Sequence, residues 1–210
     1  MDTDVPAHET HVPRGTRGDT RARIQRVALE LFAEQGYERT SLREIAERLG
    51  VTKAALYYHF KSKEDIVRSF TEDHFTRLDA LIEWARQQPA GPATGREIIE
   101  RYVSILLDGS DVFRFLEQNQ ATLHSHEAGK HRFEQFRPRL DALVGLIAGP
   151  DATARARVRA TVAFFSTSAC FMYYQSKGEI DAEELRKIVL EVAQDLTSGP
   201  AGEPSATTGE

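Results

Sequence analysis

The chain has 210 residues, 40% of them hydrophobic and 28% charged, with a formal net charge of −5. That is enough apolar material for one large domain or for a small one joined to a medium one. The single cysteine, Cys170, excludes an intramolecular disulfide and fits a reducing compartment; its apolar and small neighbours read as a buried thiol rather than a redox sensor.

No apolar run approaches the roughly 20 residues of a membrane span. The opening MDTDVPAHETHVPRG lacks the apolar stretch of a secretory signal. The expectation is a cytoplasmic protein without a membrane partner. The net charge hides an asymmetry: residues 14–63 hold 11 Lys/Arg against 6 Asp/Glu, whereas residues 64–210 hold 16 against 23. A basic block on an acidic body suits a nucleic-acid-binding module on a larger domain, with chance clustering of surface arginines as the plainer alternative.

In chain order, residues 1–18 read as a disordered arm. Ile24, Val27, Ala28, Leu31 and Phe32 follow helical spacing, predicting an amphipathic helix over 19–35 that ends at Gly36. Thr40 or Ser41 caps a short helix with Leu42, Ile45, Ala46 and Leu49 on its apolar face, broken at Gly50. Thr52 caps a third helix of two turns. Ser62 caps a fourth, with Asp65 completing a capping-box-like start, and it runs to Gln87. Past the break at Pro89–Pro92 the pattern predicts helices over 95–108, 111–125, 128–148, 151–177 and 181–197, with Pro138 able to kink or divide the third of these. Residues 198–210 read as a disordered tail. The fold class is all-α: a three-helix N-terminal domain over 19–62, then a larger helical domain over 63–197.

The corner Gly50-Val51-Thr52 between two short helices is a helix-turn-helix, whose second helix can lie in a DNA major groove. Leu56 and Phe60 can anchor it inward, leaving Tyr57, Tyr58 and His59 near an exposed end beside Lys63. Tyrosine hydroxyls, an imidazole N–H and an ammonium all donate to phosphates. The capped helix start at Ser62 also favours an anion. The plainer reading, an aromatic corner packing one helix on another, suits one of the two tyrosines.

These residues resemble the TetR family of bacterial transcriptional regulators. The resemblance runs through Gly36, Thr40-Ser41-Leu42, Ile45-Ala46, Leu49-Gly50-Val51-Thr52, Leu56-Tyr57-Tyr58-His59-Phe60 and Ser62-Lys63-Glu64, about a quarter of the chain. It implies a homodimer with one helix-turn-helix domain per chain, a palindromic double-stranded DNA operator, and a helical C-terminal domain that binds a small molecule and dimerises. It also implies repression until that molecule binds. By position, Lys53–Tyr58 is implied to be the recognition helix, Arg43 to touch bases, and Thr40, Thr52, Tyr57, His59 and Lys63 to hold phosphates. Ala54 and Ala55 offer only methyl contacts.

Residues 151–177 are apolar on two faces: Val158, Val162, Phe165, Ala169 and Met172 form one stripe, Thr161, Phe164, Ser168, Phe171 and Tyr174 another. A helix apolar nearly all round is covered on both sides, by its own bundle and by a second subunit. Leu185, Ile188, Val189, Val192 and Leu196 make a single stripe on the last helix. Phe165, Ala169, Leu185, Ile188, Val192 and Leu196 are therefore the dimer-interface candidates, a purely internal core being the alternative. A ligand pocket would be apolar with a few converging polar groups; Trp84, Phe113, Gln118, His124, Phe164, Thr167, Phe171 and Tyr174 are its candidates.

Three histidines, His124, His126 and His131, invite a metal reading, but positions i and i+2 of a helix do not share a face and no Cys or acidic set completes them. No metal or cofactor is expected. With no glycine-rich phosphate loop and no nucleophile elbow, the chain does not read as an enzyme. The rival to a ligand-released repressor is a DNA-bound regulator controlled by a protein partner.

Overall fold

The computed structural model describes residues 17–119 and 126–197. Every regular element among them is a helix: α1 Arg17–Gln35, α2 Leu42–Leu49, α3 Lys53–His59, α4 Lys63–Arg86, α5 Pro92–Asp108, α6 Ser110–Gln118, α7 His126–Ala148, α8 Ala154–Lys177 and α9 Ala182–Thr197. They fall into two compact units, one ending at Ile66 and one beginning at Val67.

The first unit is α1, α2, α3 and the first turn of α4. Its core is the apolar face of α1 (Ile24, Ala28, Leu31, Phe32) packed with Leu42 and Ile45 of α2, Leu56 of α3 and Phe60, all buried. Tyr37 closes it, its ring meeting Phe32 edge to face at 5.2 Å.

In the second unit α8 lies along α9 and against α7, and α5 packs on α7, α8 and α9. Phe75, Leu78, Leu81, Ile82 and Ala85 of α4 join Ile98, Ile99, Tyr102, Val103 and Leu106 of α5 in one core. Leu143 and Ile147 of α7, Phe164 and Phe171 of α8, and Leu185, Val189 and Ala193 of α9 complete it. Gly95 is where α5 closes on α7: a Cβ there would sit 3.1 Å from the Ile147 carbonyl oxygen. Tyr102 stacks on Phe164 with ring centroids 4.3 Å apart, and its hydroxyl meets Ser168 Oγ at 2.6 Å.

Several element ends differ from the sequence expectation, each for a local reason. Helix α1 starts at Arg17, so two residues assigned to a disordered arm are helical; residues 1–16 and 198–210 lie outside the described residues. Helix α5 starts at Pro92, three residues before the expected start, because a proline fits the first helical position, where its missing N–H has no bond to make. Helix α8 starts at Ala154, after the expected start, since the Thr153 side chain accepts from Ala156 N and caps it there. Pro138 does not divide α7, which is assigned as one helix through it. Helix α6 is described only to Gln118, and residues 120–125, where the sequence pattern continues it, lie outside the described residues.

Candidate nucleic-acid interface

Helix α2 is short and would be marginal alone; its ends are set by caps. Ser41 Oγ accepts from Glu44 N at 3.2 Å while Ser41 N donates to Glu44 Oε2 at 2.8 Å, a complete capping box. These hydrogen bonds from Ser41, side chain first, hold the Glu44 carboxyl below the usual range. At the other end Gly50 sits at φ +72°, a left-handed conformation that costs glycine nothing, and Val51 N donates back to Ala46 O at 3.0 Å. Thr52 then caps α3 by accepting from Ala55 N at 3.2 Å. The whole turn between the two helices is thus three residues, Gly50 to Thr52.

Helix α3 is anchored by one buried side chain, Leu56, with Phe60 buried just past its end. The Arg21 guanidinium lies 4.8 Å from the Phe60 ring centroid. Everything else on α3 is exposed or half-buried. Lys53, Ala54 and Ala55 in the first turn are open to solvent, and so is Tyr58, at 60% exposure. Tyr57 and His59 are half-buried. Lys53 Nζ lies 5.4 Å from the Tyr57 ring centroid, and the Tyr58 and His59 rings meet edge to face at 5.3 Å. One small helix therefore presents an ammonium, two methyls, two phenols and an imidazole from a rigid corner. Arg43, on α2, is exposed and paired with Glu47 at 2.7 Å.

Two expected phosphate contacts look different in three dimensions. Thr40 is 2% exposed: its hydroxyl donates to Gly36 O at 2.9 Å and accepts from Gln35 Nε2 at 3.3 Å. Its side chain therefore serves the α1–α2 turn and does not reach outward. Lys63 Nζ donates to Tyr37 O at 2.6 Å and to Glu38 O at 3.3 Å, which leaves one of its three N–H groups. Beside it the Tyr37 hydroxyl donates to Glu64 Oε1 at 2.9 Å. Burial first, then that carboxylate, pushes the Tyr37 phenol up. Sequence reasoning missed this clamp because Tyr37 and Glu64 are 27 positions apart and neither carries a periodic signal. Lys61 Nζ likewise donates to Tyr57 O at 2.5 Å, closing the end of α3.

In the second unit the two stripes of α8 separate cleanly. Phe164, Thr167 and Phe171 are buried, with the Thr167 hydroxyl donating to Ala163 O at 2.7 Å. Val158, Val162, Phe165 (45%), Ala169 and Met172 are exposed, and on α9 Ile188 and Val192 (48%) are exposed too. Leu196 is half-buried against the core. Leu185 departs from the dimer-face expectation: at 2% exposure it packs into the core of its own unit, one position round the helix from the open stripe. Among the pocket candidates, Trp84, Phe113 and Tyr174 are half-buried at the core's edge, whereas Gln118 is exposed and so does not line the interior. The Arg101 guanidinium covers Trp84 at 3.9 Å. His124 lies outside the described residues, as do the side chains of His126 and His131. No described helix is long and apolar enough to cross a membrane.

Comparison with known proteins gives this geometry a lineage. Residues 24–70 match the model for bacterial regulatory proteins of the tetR family. The HTH-type transcriptional regulator AcrR of Shigella flexneri is 41% identical over 83 residues, 39% of each chain. Across the first curated relatives the match spans about two fifths to three fifths of their length. Solved structures extend the likeness in fold to most of the chain. A TetR/AcrR-type transcriptional regulator from Aquifex aeolicus superposes with a TM-score of 0.67 at 24% identity, covering 82% of this chain and 96% of the other. FadR from Bacillus subtilis, solved with stearoyl-CoA, gives 0.59 at 22% identity, covering 83% and 97%. The helix-turn-helix region thus matches the DNA-binding domain of the tetR family of bacterial regulatory proteins, and the likeness that extends over the helical second unit is one of fold.

Proposed function

We propose that the chain is a homodimeric, sequence-specific transcriptional repressor released from a palindromic operator by a small apolar or amphipathic ligand. The observation that carries DNA binding is the open face of α3: Leu56 is its one buried side chain, its first turn is exposed and Tyr58 is 60% exposed. In this reading residues 19–62 are the DNA-binding domain and 63–197 the regulatory one. Lys53 and Arg43 touch base edges, with Ala54 against a thymine methyl. Thr52, Tyr57, Tyr58, His59 and the remaining N–H of Lys63 hold phosphates.

The exposed stripe of α8 with Ile188 and Val192 of α9 supports dimerisation, since a two-fold protein suits a palindrome. The structural neighbour solved with stearoyl-CoA supports small-molecule control. Helix α4 gives its first turn to the first unit and the rest to the second. A ligand pressed on its Leu78–Trp84 end would change the spacing of two recognition helices that must match half-sites about 34–36 Å apart.

Binding to a panel of single-base operator variants tests the DNA assignment. Lys53→Ala should cost about 1–3 kcal/mol and relax preference at one position, whereas Lys63→Ala should weaken all sequences alike and lower the salt slope by about 1. An unchanged preference profile in Lys53→Ala sinks the recognition assignment. Titrating a ligand with and without operator tests control, because linkage makes the coupling reciprocal. Equal ligand affinities in both titrations would favour control by a protein partner instead.

A further inference from the structure

Among the described residues, one buried side-chain nitrogen or oxygen lacks a hydrogen-bond partner: Nε of Arg139, on α7. The rest of that guanidinium is held firmly. Nη2 donates to Asp79 Oδ2 at 2.6 Å, Nη1 donates to Gln135 O at 2.7 Å, and Cζ lies 4.5 Å from the Phe75 ring centroid. A buried donor left unpaired is costly, and folded proteins rarely tolerate one without a reason.

Next to Phe75 on α4, His74 is half-buried and also has no hydrogen-bond partner among the described residues. Its ring meets Phe113 edge to face at 5.1 Å and lies 6.3 Å from Phe75. Burial first, then Arg77 and Arg139, lowers its pKa to about 4. The imidazole is therefore neutral at pH 7, with one N–H to donate and one nitrogen to accept. Arg77 is paired with Asp108 at 3.2 Å and Arg139 with Asp79 at 2.6 Å, so the donor still open at this end of the unit is Arg139 Nε–H. His74 thus lies beside both Phe75 of α4 and Phe113 of α6, and Arg139 of α7 lies over Phe75, so Phe75 is the ring the two polar groups share.

We propose that Arg139 and His74, walled by Phe75 and Phe113, form the polar end of a ligand site in the second unit, and that the ligand is an apolar, aryl-bearing compound ending in a carboxylate. The carboxylate accepts from Arg139 Nε–H and from the His74 ring N–H, while the aryl body lies against the phenylalanine rings. Charge-assisted bonds of this kind are the strong ones. The assignment rests on the small-molecule reading above and adds the chemistry of the ligand's head. The structural alternative is that Nε–H points at the Phe75 ring and Arg139 only ties α4 to α7.

Calorimetric titration of the full chain separates the two, using ω-phenylalkanoates from phenylacetate to 8-phenyloctanoate and the phenylalkanols of matching length. The expected result is an acid bound at least about tenfold more tightly than its alcohol. In His74→Phe, which keeps the ring packing, and in Arg139→Gln, that ratio should fall toward one, while the alcohol's affinity stays within about threefold. The alcohol thus reports on the pocket, and a variant that fails to fold loses both. Equal binding of acid and alcohol by the unmodified chain would overturn the carboxylate assignment and leave the small-molecule reading standing. A preference that survives in both variants would place the carboxylate elsewhere. Failure of both series to bind would overturn the proposal, and operator release by any other small molecule would show the broader reading to stand without it.

Discussion

The two units are specified by different kinds of interaction. The first is small, and its geometry is set by polar contacts at helix ends: the Ser41–Glu44 box, the Thr52 cap, the buried Thr40 hydroxyl and the Tyr37–Glu64 and Lys63 clamp. The second is set by apolar volume, with five helices contributing to one core around Phe164, Leu143 and Ile98. Caps fix angles and turn lengths, which a DNA-reading corner needs to hold. A large apolar core tolerates repacking among similar volumes, so its helices are held less strictly by any single contact. The second unit also leaves an apolar stripe uncovered on α8 and α9, whereas among the described residues of the first the large hydrophobic side chain exposed is Tyr58.

The contrast can be broken from either side, and the largest effect belongs to the core. Phe164→Ala removes a buried ring stacked on Tyr102 and should destabilise the second unit by about 3–5 kcal/mol in chemical denaturation. A loss under about 1 kcal/mol would mean that the core is not organised around that stack. Next comes the uncovered stripe. Phe165→Glu with Val192→Glu leaves a single chain intact, since both positions are exposed, but buries unpaired charge in any dimer formed there. Light scattering should report monomer, with dimer affinity reduced by about 3 kcal/mol or more. A dimer of unchanged stability places the interface elsewhere.

The third effect is the pH dependence from His74. Its folded pKa of about 4 lies below the ordinary 6.5, so between those values the unfolded chain binds the proton that the folded chain refuses. Stability is therefore retained above pH 6.5 and lost as pH falls toward 4, by at most about 3 kcal/mol. Subtracting the denaturation profile of His74→Phe from that of the unmodified chain isolates it from the carboxylates; parallel profiles would contradict the burial. The smallest effect is in the first unit. Ser41→Ala removes the cap of α2 and should cost about 1 kcal/mol, visible as faster amide exchange in α2 with the second unit's exchange unchanged. Equal loosening of both units would show that caps and core are not separable in this way.

Much of the first unit was legible because its determinants are local. Ser41 and Glu44, Gly50, and Thr52 with Ala55 interact over three or four positions, so the order of residues carries the turn, and the motif carries the family. The helices of the second unit were legible for the same reason, through the 3.6-residue period of their apolar positions. What periodicity cannot say is which neighbour a stripe meets. Both faces of α8 are apolar, and only packing showed that Phe164 and Phe171 turn inward while Phe165 and Met172 stay open. Leu185 and Val192 share a stripe by spacing, yet one is core and the other surface. Thr40 reads as a phosphate donor until the α1–α2 turn encloses it. Tyr37 with Glu64, and Asp79 with Arg139, are joined across 27 and 60 positions, where no local rule acts. Local hydrogen bonds and helical periods are properties of adjacent residues and are written in their order. Burial, pairing and the leftover N–H of Arg139 arise only when distant segments exclude water from one another, and that is decided by the tertiary structure.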